Sequence, residues 1–271
     1  MPVFHYKNRQ MAYQDVGSGP VLLFGHSYLW DAQMWAPQIE TLSCHYRCIV
    51  PDLWAHGGSD SLPESTLSLV DYADDILALM DHLDIHEFSV VGLSVGGMWG
   101  TEVALKAPQR VTSLVLMDTF IGLEPEVLHK KYFGMFDVIS NAECIPEPVM
   151  EAVVPLFFSA KATDTAPALV NAFHEKLAGL TGQKALDVVE MGKLVFNRRD
   201  AFDDVEKLAL PTLIMVGTED KPRPVFESYL MNDAITGSEL QVVPGAGHIS
   251  NLENPEFVTQ ALTTFFARVY A

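Results

Sequence analysis

Basic residues are scarce in this chain. Lys and Arg number 17 against 35 Asp and Glu in 271 residues, a formal net charge of -18 at pH 7. Nucleic acid or an anionic membrane surface would be repelled by that balance, so neither is an expected partner. Cysteine is scarce as well. Cys44, Cys48 and Cys144 are odd in number, form no C-x-x-C, and no His or Cys pair has zinc-ligand spacing. Reduced thiols in a cytoplasmic setting are therefore expected, with no disulfide framework and no metal. The stretch from Met1 to Lys7 lacks the apolar segment of a secretory signal. No later run approaches the roughly 18 apolar residues that cross a bilayer. Gly17-Ser18-Gly19-Pro20 is too short for a phosphate loop and lacks Gly-Lys-Ser/Thr. No internal repeat or low-complexity stretch occurs.

What is abundant is apolar sequence, 49% of the chain, enough for one large α/β domain with an insertion. Val3–Tyr6 and Gln10–Asp15 read as a hairpin around Lys7-Asn8-Arg9. Val21–Gly25, Arg47–Val50, Phe88–Val91, Val111–Met117, Pro211–Gly217 and Glu239–Val243 read as strands. Between them, Met34–Leu42, Leu67–Leu83, Met98–Lys106, Pro224–Asn232 and Asn254–Val269 repeat apolar residues at helical spacing. In the second of these, Asp71, Asp74, Asp75 and Asp81 are expected to form a solvated acidic face. Alternation of this kind predicts a mostly parallel twisted sheet flanked by helices, with ligands at the carboxyl ends of the strands. From Phe120 to Leu208 the alternation stops. That aromatic-rich, helical stretch is expected to be an inserted cap over a core of residues 1–119 and 209–271. Phe133, Phe136 and Phe157 are candidates for lining a pocket beneath it.

The shortest turn carries the chemistry. Gly92-Leu93-Ser94-Val95-Gly96 fits G-x-S-x-G, a strained bend between strand and helix that presents a serine hydroxyl at its apex. A serine hydroxyl is a weak nucleophile at neutral pH and needs a histidine base oriented by a carboxylate. Two later strand ends supply these: Asp220 after Pro211–Gly217, and His248 after Glu239–Val243. Glu219 is the reserve acid. Serine, acid, histidine is the chain order that an elbow serine requires on such a sheet.

These residues identify a resemblance. Gly25-His26, Asp31, Trp35, Asp52 through Ser59, Gly92 through Met98, Gly217 through Asp220 and Gly245 through Pro255 together resemble the α/β-hydrolase superfamily over essentially the whole chain. Within it the pattern is similar to small carboxylesterases and 3-oxoadipate enol-lactonases. The resemblance implies an α/β-hydrolase fold and an oxyanion hole made by the backbone N–H groups of Tyr28 and Val95. It implies ester or lactone hydrolysis through an acyl-enzyme, with a small-molecule substrate and no cofactor. Carbon–carbon bond hydrolysis, perhydrolysis and a ligand-sensing regulator share the same fold. The chain departs from the family at Ser27 and at Trp54-Ala55, where glycine is usual at positions 27 and 55. Tyr28, Trp30 and Trp54 thereby become candidates for aromatic bulk at the pocket mouth, and His26 and His56 are expected to be structural.

Overall fold

The N-terminal alternation becomes β1 (Val3–Tyr6) and β2 (Arg9–Val16) in a computed structural model that describes all 271 residues. Lys7 and Asn8 join them at φ 48° and 59°, the doubly positive turn that suits the twist of a hairpin. The remaining strands are β3 (Val21–Gly25), β4 (Arg47–Pro51), β5 (Phe88–Leu93), β6 (Val111–Met117), β7 (Thr212–Gly217) and β8 (Glu239–Val243). They form one sheet in the order β1-β2-β4-β3-β5-β6-β7-β8. Only β2 runs antiparallel to its neighbours β1 and β4; every other pairing is parallel. Every residue of β5 and β7 is buried, as strands covered on both faces must be.

Helices cover the faces. α1 (Ala36–Leu42) follows a 3-10 turn at Ala32–Trp35, and the break between them falls beside Pro37. α2 (Leu69–His82) is capped by Ser68, whose side chain accepts from Asp71 N. α3 (Val95–Lys106) begins directly after Ser94, three residues before Met98, where periodicity alone placed its start. Between β6 and β7 lie α4 (Glu126–Ala142), α5 (Glu147–Phe157), α6 (Ala162–Thr165), α7 (Pro167–Ala178) and α8 (Gln183–Phe196). The chain closes with α9 (Val225–Ala234), α10 (Ser250–Glu253) and α11 (Pro255–Val269). No helix is long and apolar enough to cross a membrane.

One acidic residue departs from the expected solvated face. Asp75 is fully buried, and its carboxylate accepts from Lys7 Nζ, Thr66 Oγ1 and Trp54 Nε1. Helical spacing could not show this, because all three donors come from outside the helix.

The sheet order fixes the site. The chain runs outward from β3 to β4, then returns to the other side of β3 as β5, so the crevice opens between β3 and β5. Gly25 and Gly92 are directly paired there. A side chain at Gly96 would lie 2.2 Å from the Gly25 carbonyl oxygen. That approach brings the loop after β3 against the start of α3.

Candidate active site

Ser94 sits at φ 56° and ψ -119°, a conformation that costs a non-glycine residue about 1–3 kcal/mol. Its surroundings hold it there: Ser94 N donates to Met117 O at 2.9 Å, and Thr119 Oγ1 donates to Ser94 O at 2.7 Å. The hydroxyl meets His248 Nε2 at 2.9 Å. On the other side of the ring, His248 Nδ1 lies 3.1 and 3.0 Å from the two carboxylate oxygens of Asp220. A carboxylate only accepts, so the neutral imidazole carries its proton on Nδ1 and leaves Nε2 free for the serine proton. All three side chains are buried.

The supports come from several elements. Arg223 N donates to Asp220 Oδ1 at 2.9 Å, and the Phe157 ring meets His248 edge-on. Glu253 accepts from Gly247 N at 2.6 Å and from Ser159 Oγ at 2.7 Å, tying the histidine loop to the segment after α5. Glu219 points elsewhere: its carboxylate accepts from Ala160 N at 2.8 Å. Asp118 braces β6, β7 and the histidine loop by accepting from Gly217 N and Ser250 Oγ. Burial, and then the nearby Asp220, push its pKa well above the usual carboxylate range.

Tyr28 and Ser94 both border a cavity that encloses about 890 Å³ of empty space, its mouth included. The Tyr28 amide makes no hydrogen bond within the chain, whereas Leu29 N and Trp30 N are both occupied. Val95 is the first residue of α3, where amides lack intrahelical acceptors. Ser27, His248 and Arg223 also border it, and the rest of the walls are mostly apolar, with Met135, Phe136, Ile139, Val149 and Phe157 among them, all from α4 and α5.

Three expected lining residues are not there. Trp54 is fully buried away from the cavity, its indole N–H turned to Asp75 at 2.9 Å. Ala55 makes that turn at φ 65°, the left-handed geometry that explains why glycine suits this position. Trp30 stacks flat on Phe173 of α7, with centroids 4.6 Å apart, and Phe133 stacks on His129 at 4.2 Å. Each ring found a nearer aromatic or polar partner than the cavity. Phe136 and Phe157 do line it.

Sequence reasoning missed Arg223, which borders the cavity, its partners Glu124 (buried) and Glu227 (half-buried), and the buried Arg198 that shares Glu124. Glu124 enters the helical insertion, Arg198 leaves it, and Arg223 follows the acid. The two pairings of Glu124 join residues 74 and 99 positions apart, which carry no local signal of it.

His26 and His56 are knitted into the loops below Tyr28. Leu53 N donates to His26 Nε2 at 2.8 Å and Leu29 N to His56 Nε2 at 3.0 Å. Their Nδ1–H groups face the carbonyls of Ser27 and Trp54. Burial lowers the two pKa values to about 4 and about 3. Both are neutral in the folded protein at pH 5–6, while an unfolded histidine, near 6.5, takes up a proton. The fold is therefore expected to lose stability as pH falls below 6.5, by about 1.4 kcal/mol per pH unit per histidine. Asp118 and Asp52, with raised pKa values, oppose that loss at the acid end. Urea midpoints at pH 7.5, 6.5 and 5.5 measure the balance; a midpoint that rises toward pH 5.5 would mean that the two carboxyl groups outweigh the two imidazoles.

In sequence and fold the chain is similar to several known proteins. A family model described as "alpha/beta hydrolase fold" matches residues 20–143. 3-Oxoadipate enol-lactonase 2 of Acinetobacter baylyi is 25% identical over 281 residues, covering 99% of each chain. An (E)-2-((N-methylformamido)methylene)succinate hydrolase of the same organism is 26% identical, covering 94% of this chain and 93% of the relative. Among solved structures, a thermophilic esterase from Thermogutta terrifontis superposes with a TM-score of 0.87 at 27% identity, over 97% of this chain and 95% of that one.

Proposed function

We propose that this chain, which belongs to the α/β-hydrolase superfamily, is a serine hydrolase that cleaves a carboxylic ester or lactone of a small, largely apolar substrate. The observation that carries the reading is the run of contacts from Asp220 through His248 to Ser94 at the edge of an apolar cavity. Residues 120–208 act as a cap that supplies most of that cavity's walls.

In this reading His248 Nε2 takes the Ser94 proton as Oγ attacks the carbonyl carbon, forming a C–O bond and an oxyanion. The amides of Tyr28 and Val95 receive that charge, a contribution of about 10²–10³ in rate for each donor. Asp220 keeps the imidazole in the tautomer that accepts at Nε2 and stabilises the imidazolium that forms. As the tetrahedral intermediate collapses, His248 returns the proton to the departing alkoxide oxygen and the acyl-enzyme remains. A water deprotonated by the same nitrogen then attacks, and Ser94 leaves as the alcohol.

A neutral substrate is favoured by how Arg223 is used. It is the one Lys or Arg bordering the cavity, and its guanidinium is bonded to Glu124 and flanked by Glu227. A substrate carboxylate would add a third negative charge to the two that already face this guanidinium. A second reading, an anionic enol-lactone, is supported by the relatives' names. A panel of p-nitrophenyl esters of increasing acyl length, plain lactones and a carboxylate-bearing enol-lactone separates the two. The neutral short and medium acyl esters are expected to lead in kcat/KM, by about tenfold or more over the carboxylated lactone. Reversed order establishes the second reading, and a stable acyl-enzyme without turnover establishes a ligand sensor.

A further inference from the structure

We propose that the phenol of Tyr28 is a positioning group that makes the oxyanion hole competent only while the cap is seated. This rests on the serine-hydrolase reading, and adds to it a residue that acts through the backbone it belongs to. The Tyr28 hydroxyl, buried between core and cap, donates to the Val188 carbonyl oxygen of α8 at 2.9 Å. Its ring is wedged edge-on between His56 of the core and Phe196 of α8, with centroids 5.4 and 6.0 Å away. Gly192, one turn beyond Val188, makes room: a Cβ there would lie 2.5 Å from the Tyr28 hydroxyl oxygen.

A second tie lies two and three residues on. Trp30 stacks on Phe173, interplanar angle 3°, and Asp31 is ion-paired with Lys176, both partners on α7. The loop that presents the Tyr28 amide is thus held below by His26 and His56 and above by two cap helices. Leu29 is at φ 68°, so the segment does not rest in a relaxed extended form. Withdrawing α7 and α8 would remove the upper restraints from a strained loop, and the amide would lose its aim. Cap seating and transition-state stabilisation are in this way one event rather than two.

Tyr28→Phe deletes only the tie to Val188. It is expected to lower kcat by about 10- to 50-fold on the best p-nitrophenyl ester, with KM within about twofold. An alkylboronic acid, which adds to Ser94 as a tetrahedral anion, should lose affinity in parallel with kcat/KM. The alkyl alcohol of the same length, which forms no anion, should bind as before. Gly192→Ala crowds both the hydroxyl and the Phe136 ring, so it should lower kcat in the Tyr28 background, and only the part that acts through the hydroxyl should disappear in the Tyr28→Phe background. Unchanged kcat in Tyr28→Phe, or a loss confined to KM or to thermal stability, overturns the proposal and leaves the phenol as cavity wall. Equal losses of boronate and alcohol do the same. Ser94→Ala in the same assay keeps the two levels apart, because hydrolysis surviving it removes the underlying reading itself.

Discussion

Ser94→Ala is expected to lower kcat on the best ester by about 10⁴- to 10⁶-fold, the range found when the nucleophile of such a constellation is deleted. The substitution is a clean one. Alanine keeps the Cβ, so the strained φ of 56° at the bend is carried equally by both side chains. The restraints on that bend, from Met117 O and Thr119 Oγ1, are made by the backbone of residue 94 and survive. What disappears is the hydroxyl 2.9 Å from His248 Nε2. Thermal unfolding should therefore shift by only a few degrees while p-nitrophenolate release falls to the background of water and oxyanion stabilisation. A variant that folds and retains a tenth of the wild-type rate would place the nucleophile elsewhere.

Asp220→Asn carries the second large effect, about 10⁴ in kcat, the size that amide replacement of the acid produces in a serine triad. The cause is a proton position rather than a lost charge alone. Asparagine can turn its NH₂ toward His248 Nδ1, which then accepts, and the ring proton moves to Nε2, where it blocks transfer from Ser94. Glu219→Gln should change kcat by no more than about threefold. Its carboxylate faces Ala160 N, and the glutamine oxygen can still accept there. Parallel kcat measurements at one pH decide the ranking; a larger loss at position 219 would transfer the acid's role to Glu219.

The contrast between those two neighbours shows where sequence reading reaches its limit. Gly217-Thr218-Glu219-Asp220 offers two carboxylates at one strand end, and the pattern that names Asp220 and holds Glu219 in reserve does not fix where each side chain turns. The structure does so through a turn in which Asp220 N donates to Gly217 O and Asp220 Oδ1 accepts from Arg223 N, which sends the two side chains opposite ways. The aromatics divide similarly. Phe136 and Phe157 reached the cavity because helical spacing put them on faces of α4 and α5 turned toward it. Trp30 and Trp54 went to partners on other elements, which spacing cannot foresee, while Phe133 stacked on His129 one turn earlier in α4.

Strand and helix identities were written in the chain, because burial on both sheet faces demands unbroken apolar runs and helices demand their own period. The glycine-bracketed serine was equally plain, since a bend that tight admits few residue types. Where Asp220 and Glu219 each turn, which rings line the cavity, and how Tyr28 comes to join the loop after β3 to Val188 were decided only by tertiary packing. The physical reason is range: backbone conformation answers to neighbours within a few residues, whereas these contacts join groups 28 to 160 positions apart and depend on shape, burial and an available donor or acceptor.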